Sequence, residues 1–108
     1  MDELTLLRAI LDSLDTPILV ADTGHMIRYM NRAAVAHYPG GESLLGRSLL
    51  DCHNPHSQEI ILKVLEDLRA GVEERLISEN EQRRVYMRAV RDPEGHLLGY
   101  YERYERRR

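Results

Sequence analysis

Residues 11–34 read LDSLDTPILVADTGHMIRYMNRAA, and their punctuation decides the fold. Pro17 ends whatever helix precedes it, because the residue before a proline is pushed out of the helical region. Residues 18–21 then form a short apolar run that stops at Asp22-Thr23-Gly24, a turn signal. Residues 26–30 resume in the same style, so the two runs predict a tight hairpin. Asn31 follows at once and is a suitable N-cap for a short helix over residues 32–38, which Ala33, Ala34 and Ala36 keep slender enough to lie close to a sheet.

Upstream, residues 2–14 place Leu4, Leu7, Leu11 and Leu14 on one helical stripe, widened by Leu6 and Ile10. Asp2 and Glu3 suit the positive end of that helix. So wide an apolar face must be buried either on its own sheet or against a second copy, and a homodimer through the four leucines is the partner expected.

Downstream, Pro39-Gly40-Gly41 breaks the short helix and residues 42–51 read as one or two helical turns. The stretch DCHNPHSQE, residues 51–59, holds the one cysteine and two of the five histidines. Its Asn54 is a good N-cap and Pro55 fits the first helical position, opening a helix over residues 56–70 with Ile60, Ile61, Val64, Leu65 and Leu68 on one face. Gly71 stops it, with Arg69 near its negative end. At about 1.5 Å per residue this helix is roughly 22 Å long and can cross a small sheet. Residues 72–78, 84–90 and 97–104 read as three more strands. Val85, Met87 and Ala89 alternate with Tyr86 and Arg88, and Asp92-Pro93-Glu94-Gly95 turns between the last two strands.

A chain of 108 residues has room for one core and buries roughly two-thirds of its extended surface. Its 43% apolar and 31% charged content is that of a globular domain, with an aliphatic core because Phe and Trp are absent. A net charge of −3 argues against nucleic acid, and Arg103, Arg106, Arg107 and Arg108 read as a solvated basic end. No apolar run approaches the ~20 residues of a membrane span, no signal peptide is evident, and one cysteine cannot form an internal disulfide. The expectation is a cytoplasmic domain that does not enter a membrane.

The order helix, β, β, short helices, long helix, β, β, β, carried by LDSLDTPILVADTGHMIRYMNRAA, by LLGRSLLD (44–51) and by RAVRDPEGHLLGYYE (88–102), resembles a PAS domain. Within that family Cys52, His53, Pro55 and Ser57 look most like the PAS domains at the C-terminal end of hemerythrin-linked proteins. The resemblance implies an α+β fold: a five-stranded antiparallel sheet of order 2-1-5-4-3, with the short helices and the long helix on one face. It also implies a sensory and dimerisation module in signal transduction, linked to an output domain or partner signalling protein, with a ligand pocket between long helix and sheet. Residues 1–15 would be the dimerisation helix, 16–105 the PAS domain and 106–108 a basic tail. The family usually closes with an Asp-Ile-Thr-like signal, and this chain reads Tyr104-Glu105-Arg106-Arg107-Arg108 instead.

The candidate pocket residues are His53, His56, Ile60, Val64, Met87 and Tyr101. His56 precedes Ile60 by the same step of four that separates Ile60, Val64 and Leu68, so it extends the inward line, and His53 stands at the pocket mouth. Either is a possible axial ligand for haem; a small metabolite is the other occupant, and hydrogen-bonding roles around a helix start are the simpler reading for both. With Tyr101 facing the pocket its hydroxyl would orient a ligand, while outward Tyr100 and Tyr104 would form a half-apolar surface. Flavin is not expected: in flavin photosensors of this fold the reactive cysteine stands three residues after the glycine of a Gly-x-Asn-Cys motif, and counted from Gly46 that place is Leu49. Metal is not expected either, since adjacent Cys52 and His53 rarely point at one ion and no paired ligand spacing is present. Cys52 reads as a small buried residue. Lys63 is the one lysine, and no nucleophile, base and acid can be grouped from these spacings, so catalysis is not expected.

Overall fold

The computed structural model describes residues 1–107, so the end of the basic tail, Arg108, lies outside the described residues. Helix α1 (Glu3–Asp12) is followed by strands β1 (Leu19–Asp22) and β2 (Ile27–Met30), helix α2 (Arg32–His37), two 3-10 turns (Gly41–Leu44 and Leu49–Cys52), helix α3 (Pro55–Arg69), and strands β3 (Glu74–Glu79), β4 (Arg83–Arg91) and β5 (Leu97–Arg106). The strands form one antiparallel sheet in the order β2-β1-β5-β4-β3.

The hairpin between β1 and β2 is made by Asp22. Its Oδ1 accepts the backbone N–H groups of Gly24 (2.9 Å) and Met26 (3.0 Å), and His25 takes the positive φ of 67° that completes the turn. Residues 46–49 then cover the outer edge of β2, with Gly46 N–H donating to the Ile27 carbonyl and Leu49 N–H to the His25 carbonyl. In β5 a glycine is required: a Cβ on Gly99 would stand 2.1 Å from the Ala21 carbonyl oxygen of β1.

Asn31 is wholly buried and makes four hydrogen bonds. Its Oδ1 accepts from the N–H groups of Ile18 and Ala34, and its Nδ2 donates to the carbonyls of Leu11 and Thr16. One side chain thus caps α2 and fastens both the end of α1 and the start of β1. Asp12 adds to this joint, accepting from Tyr29 Oη and from the Arg32 N–H.

Helix α3 begins as its sequence dictates, with Asn54 Oδ1 accepting from the Ser57 N–H at 2.9 Å and Pro55 in the first turn. Its far end is closed by Gly71 and by Arg91, which donates to the carbonyls of Leu68 and Val72. Ile61, Val64, Leu65 and Leu68 join Ala34, Leu44 and Leu49 over the inward strand residues Leu19, Ala21, Ile27, Met87 and Tyr100 in a single core. Nothing of α1 enters this core: it has no buried residue, and Leu4, Leu6, Leu7 and Ile10 stand in solvent. Among the described residues no helix is long and apolar enough to cross a membrane.

The face of β5 is the reverse of that expected. Tyr100 is buried against the core, opposite Ala21 and Ala89, so Glu102 and Tyr104 follow it inward. Tyr101 therefore lies on the outer face of the sheet between Val20 and Arg88. There Arg103 stacks on Tyr86 (4.3 Å to the ring centroid) and pairs with Glu74 at 2.9 Å.

Candidate functional site

Two adjoining hollows lie where the start of α3 and the 3-10 turns meet the sheet, and His53 and Glu102 line both. The larger, about 360 Å³, is walled by Leu19, Ile27, Pro39, Leu44 and Leu49, with Cys52 and Tyr38 also on its lining. The smaller, about 240 Å³, runs along Ser57, Ile60 and Ile61 of α3 toward Ile77, Val85 and Tyr104, with Arg83 on its wall. Such a space accommodates a small molecule, with apolar walls to hold its body and a few polar groups to orient it.

The polar groups converge on Glu102. Both Tyr38 Oη and Tyr104 Oη donate to Glu102 Oε2 at 3.1 Å, and the two phenols also contact each other. Burial, reinforced by the Glu102 charge, holds the Tyr38 phenol far above the ordinary tyrosine range and pushes Tyr104 up to about 12. Both therefore remain protonated donors at any physiological pH. His37 packs edge-on to each ring, and the Arg83 guanidinium lies 4.9 Å from the Tyr104 centroid.

His53 is the second polar group. Its Nδ1 lies 2.8 Å from the Leu49 carbonyl, which can only accept, so Nδ1 carries a proton, and in the neutral ring Nε2 is the acceptor. The loop that holds it is braced by Gln58, whose amide donates to the carbonyls of both Leu50 and His53.

A family model described as PAS domain matches residues 7–105. The chain belongs to the PAS domain family. Members of this family are typical of signal-transduction sensors and are generally sensory or interaction modules rather than enzymes. Among solved structures, this PAS domain is similar to a C-terminal domain from Streptococcus mutans at 25% identity and a TM-score of 0.77, covering 95% of this chain and 84% of that one. The PAS domain of a protein from Colwellia psychrerythraea, at 14% identity and 0.71, covers 98% of both chains. The PAS domain of Bordetella pertussis BvgS, at 20% and 0.66, covers 100% of this chain and 88% of that one. Among curated proteins none matches the sequence significantly.

The cavity of this PAS domain brings together two of the six residues expected there, His53 and Ile60. Val64 and Met87 are buried in the core and are not on the lining of either hollow. His56 is exposed, because the inward line of α3 begins only where the helix reaches the sheet, one turn later. Tyr101 faces away, as the register of β5 requires. Cys52, read as a buried residue, is exposed at the wall of the larger hollow.

The sequence reading missed Glu102, Tyr38 and Tyr104. On one face of a strand, residues 100, 102 and 104 read Tyr, Glu, Tyr, and that carboxylate between two aromatics was the available signal. It missed also the buried pair His25 and Tyr100, joined at 2.9 Å between Nδ1 and Oη. Burial lowers the His25 pKa, with Asp22 opposing and Arg69 assisting. Asp92, Glu94 and His96 cluster within 4.8 Å, but they are the turn itself, Asp92 accepting the N–H groups of Glu94 and His96.

Proposed function

We propose that this PAS domain is the input module of a signalling protein and takes a small organic ligand into the cavity around Glu102 and His53. The observation that carries the reading is the pairing of an aliphatic wall with a convergent polar cluster in one cavity under the start of α3. The cavity touches the loop leading into α3, the C-terminal end of α2 and β5, so a bound molecule contacts elements on both sides of the Asn31 joint with α1. A ligand that binds one arrangement of these elements more tightly than another shifts their populations, and the change reaches α1 as a signal. We propose further that the N-terminal segment pairs two subunits through Leu4, Leu7 and Leu11 of α1 and Leu14 just beyond it, with an output domain or partner signalling protein reading the pair. We propose also a kinship with the PAS domains of hemerythrin-linked proteins, supported by the likeness at Cys52, His53, Pro55 and Ser57, and a cytoplasmic setting.

A haem is a poorer occupant. His53 Nε2 suits an iron, and the Aer2 receptor of Vibrio cholerae, described as a dual PAS-heme oxygen sensor, is similar in fold (TM-score 0.56, 17% identity). The larger hollow, however, presents the Glu102 carboxylate and no lysine or arginine to receive two propionates. Pairing without any ligand is the alternative for the whole domain, favoured by the bare leucines of α1.

Thermal unfolding in the presence of a small-metabolite extract separates these readings. A ligand at a hundred times its Kd adds about 2.7 kcal/mol to stability, and for a domain this size that raises Tm by more than 10 °C, at about 4–8 °C per kcal/mol. The rise is expected in the wild type and not in Leu49→Trp, which fills the larger hollow. An unmoved Tm in both leaves the pairing domain.

A further inference from the structure

Glu102 has a role to find that the fold does not supply. Glu105, its outward neighbour on β5, pairs with Arg84 and Arg103, and Glu74 pairs with Arg88 and Arg103. Glu102 alone among these turns toward the cavity, and among the described residues it has no cationic partner. Its oxygen partners are two phenols, Tyr38 and Tyr104, each donating to Oε2. On the larger hollow these two hydroxyls are directed at the carboxylate, and no lysine or arginine among the described residues stands beside it. His53 in its neutral form adds another acceptor at the same meeting of the hollows, Nε2. A carboxylate partly withdrawn from water beside an aliphatic wall interacts with an opposite charge more strongly than it would at the surface.

These groups discriminate among ligand heads. An anion meets the Glu102 charge, and the larger hollow offers it no cation. Arg83, the nearest guanidinium on the cavity lining, belongs to the smaller hollow and is stacked on Tyr104. A neutral hydroxyl supplies one hydrogen bond. A primary ammonium supplies three donors and the missing charge, and can serve Glu102 and His53 Nε2 together.

We propose that the ligand of this cavity is a small organic ammonium, its charged head held by Glu102 and His53 and its apolar body lying against Leu19, Ile27, Leu44 and Leu49. This rests on the reading of the cavity as a ligand site.

The test uses three molecules of nearly equal size and different charge, 2-phenylethylamine, 2-phenylethanol and phenylacetate, titrated calorimetrically into the intact chain. The amine binds tighter than the alcohol by about tenfold or more, a difference of about 1.4 kcal/mol, and the acid binds weakest. Glu102→Gln removes that preference and leaves the alcohol's affinity within about twofold, the neutral amide being blind to the charge. If Glu102→Gln does not fold, judged by circular dichroism, His53→Phe weakens the amine several-fold and the alcohol less. Tighter binding of the alcohol or the acid overturns the ammonium and leaves the ligand cavity standing, as does a preference for amine that survives Glu102→Gln. Failure of all three to bind overturns the proposal too, and the extract experiment above then decides the cavity separately.

Discussion

Helices α1 and α3 both present leucines at helical spacing, yet Leu68 of α3 is wholly inaccessible while Leu4 of α1 is 62% exposed and Leu7 56%. The difference is in what surrounds the stripes. Helix α3 is tied at both ends, by Asn54 at its start and by Arg91 and Gly71 at its finish, and lies over the inward faces of β3 and β4. Helix α1 is hydrogen-bonded to the domain at its C-terminal end, through Asn31 and Asp12, with Arg8 over the Tyr29 ring at 5.8 Å, and buries none of its residues. Periodicity therefore reports that a helix has an apolar face, and says nothing of what covers it.

Mutations sharpen or break this comparison. The largest effect falls on α3: Leu68→Ala costs about 2–5 kcal/mol in chemical denaturation, while Leu7→Ala in dilute protein stays within about 0.5 kcal/mol. An equal loss at Leu7 would mean that α1 is part of the folded core after all. The joint between the two regions comes next. Asn31→Ala unpairs the N–H groups of Ile18 and Ala34 and the Thr16 carbonyl, while the Leu11 carbonyl keeps the Leu14 N–H, and at about 1–3 kcal/mol for a buried group left unpaired it costs about 3 kcal/mol or more and frees the end of α1 for faster amide exchange. Leu7→Arg acts only on pairing. It weakens the proposed dimer by about tenfold or more in light scattering and leaves the melting temperature of the dilute protein unchanged. A dimer indifferent to Leu7→Arg would remove α1 as the interface.

The smallest effect is a pH dependence under the C-terminal end of α3. Burial keeps His25 neutral in the fold, its pKa below the 6.5 of a free imidazole, with Tyr100 against its Nδ1, Asp22 opposing and Arg69 assisting. Below that value the unfolded chain takes up a proton that the native chain refuses, so stability falls as pH drops through about 6.5. His25→Gln flattens that slope in urea titrations at about pH 5 to 7, and an unchanged slope would show that His25 is not its source.

Much of the architecture was legible because it is written locally. Asp22-Thr23-Gly24, the Asn31 cap on Ala34, and the set Asn54, Pro55 and Gly71 each act within a few residues and fall where the sequence puts them, whereas the bonds from Asn31 back to Leu11, Thr16 and Ile18 are not local. The strand order was available only through the likeness to PAS domains, since pairing is not a local property. The face of β5 was not legible. Residues 100, 102 and 104 and residues 101, 103 and 105 are both aromatic and charged, so polarity cannot choose between them, and the choice is made by the register with Ala21 and Ala89. The site suffered most from this. Its polar centre joins Glu102 to Tyr38, 64 positions earlier, a meeting that no spacing along the chain announces. His53 lines both hollows from just before the Asn54 cap, whereas His56 is exposed because a step of four extends an inward line only while the helix has something to face.

The most direct measurement of the sensory reading is native mass spectrometry of the intact chain after incubation with cell extract filtered to small molecules. A mass increment released on denaturation is expected for the wild type, reduced in Glu102→Gln and absent in Leu49→Trp. A wild-type protein that keeps its bare polypeptide mass, or an increment that Leu49→Trp retains in full, would contradict a ligand in this cavity.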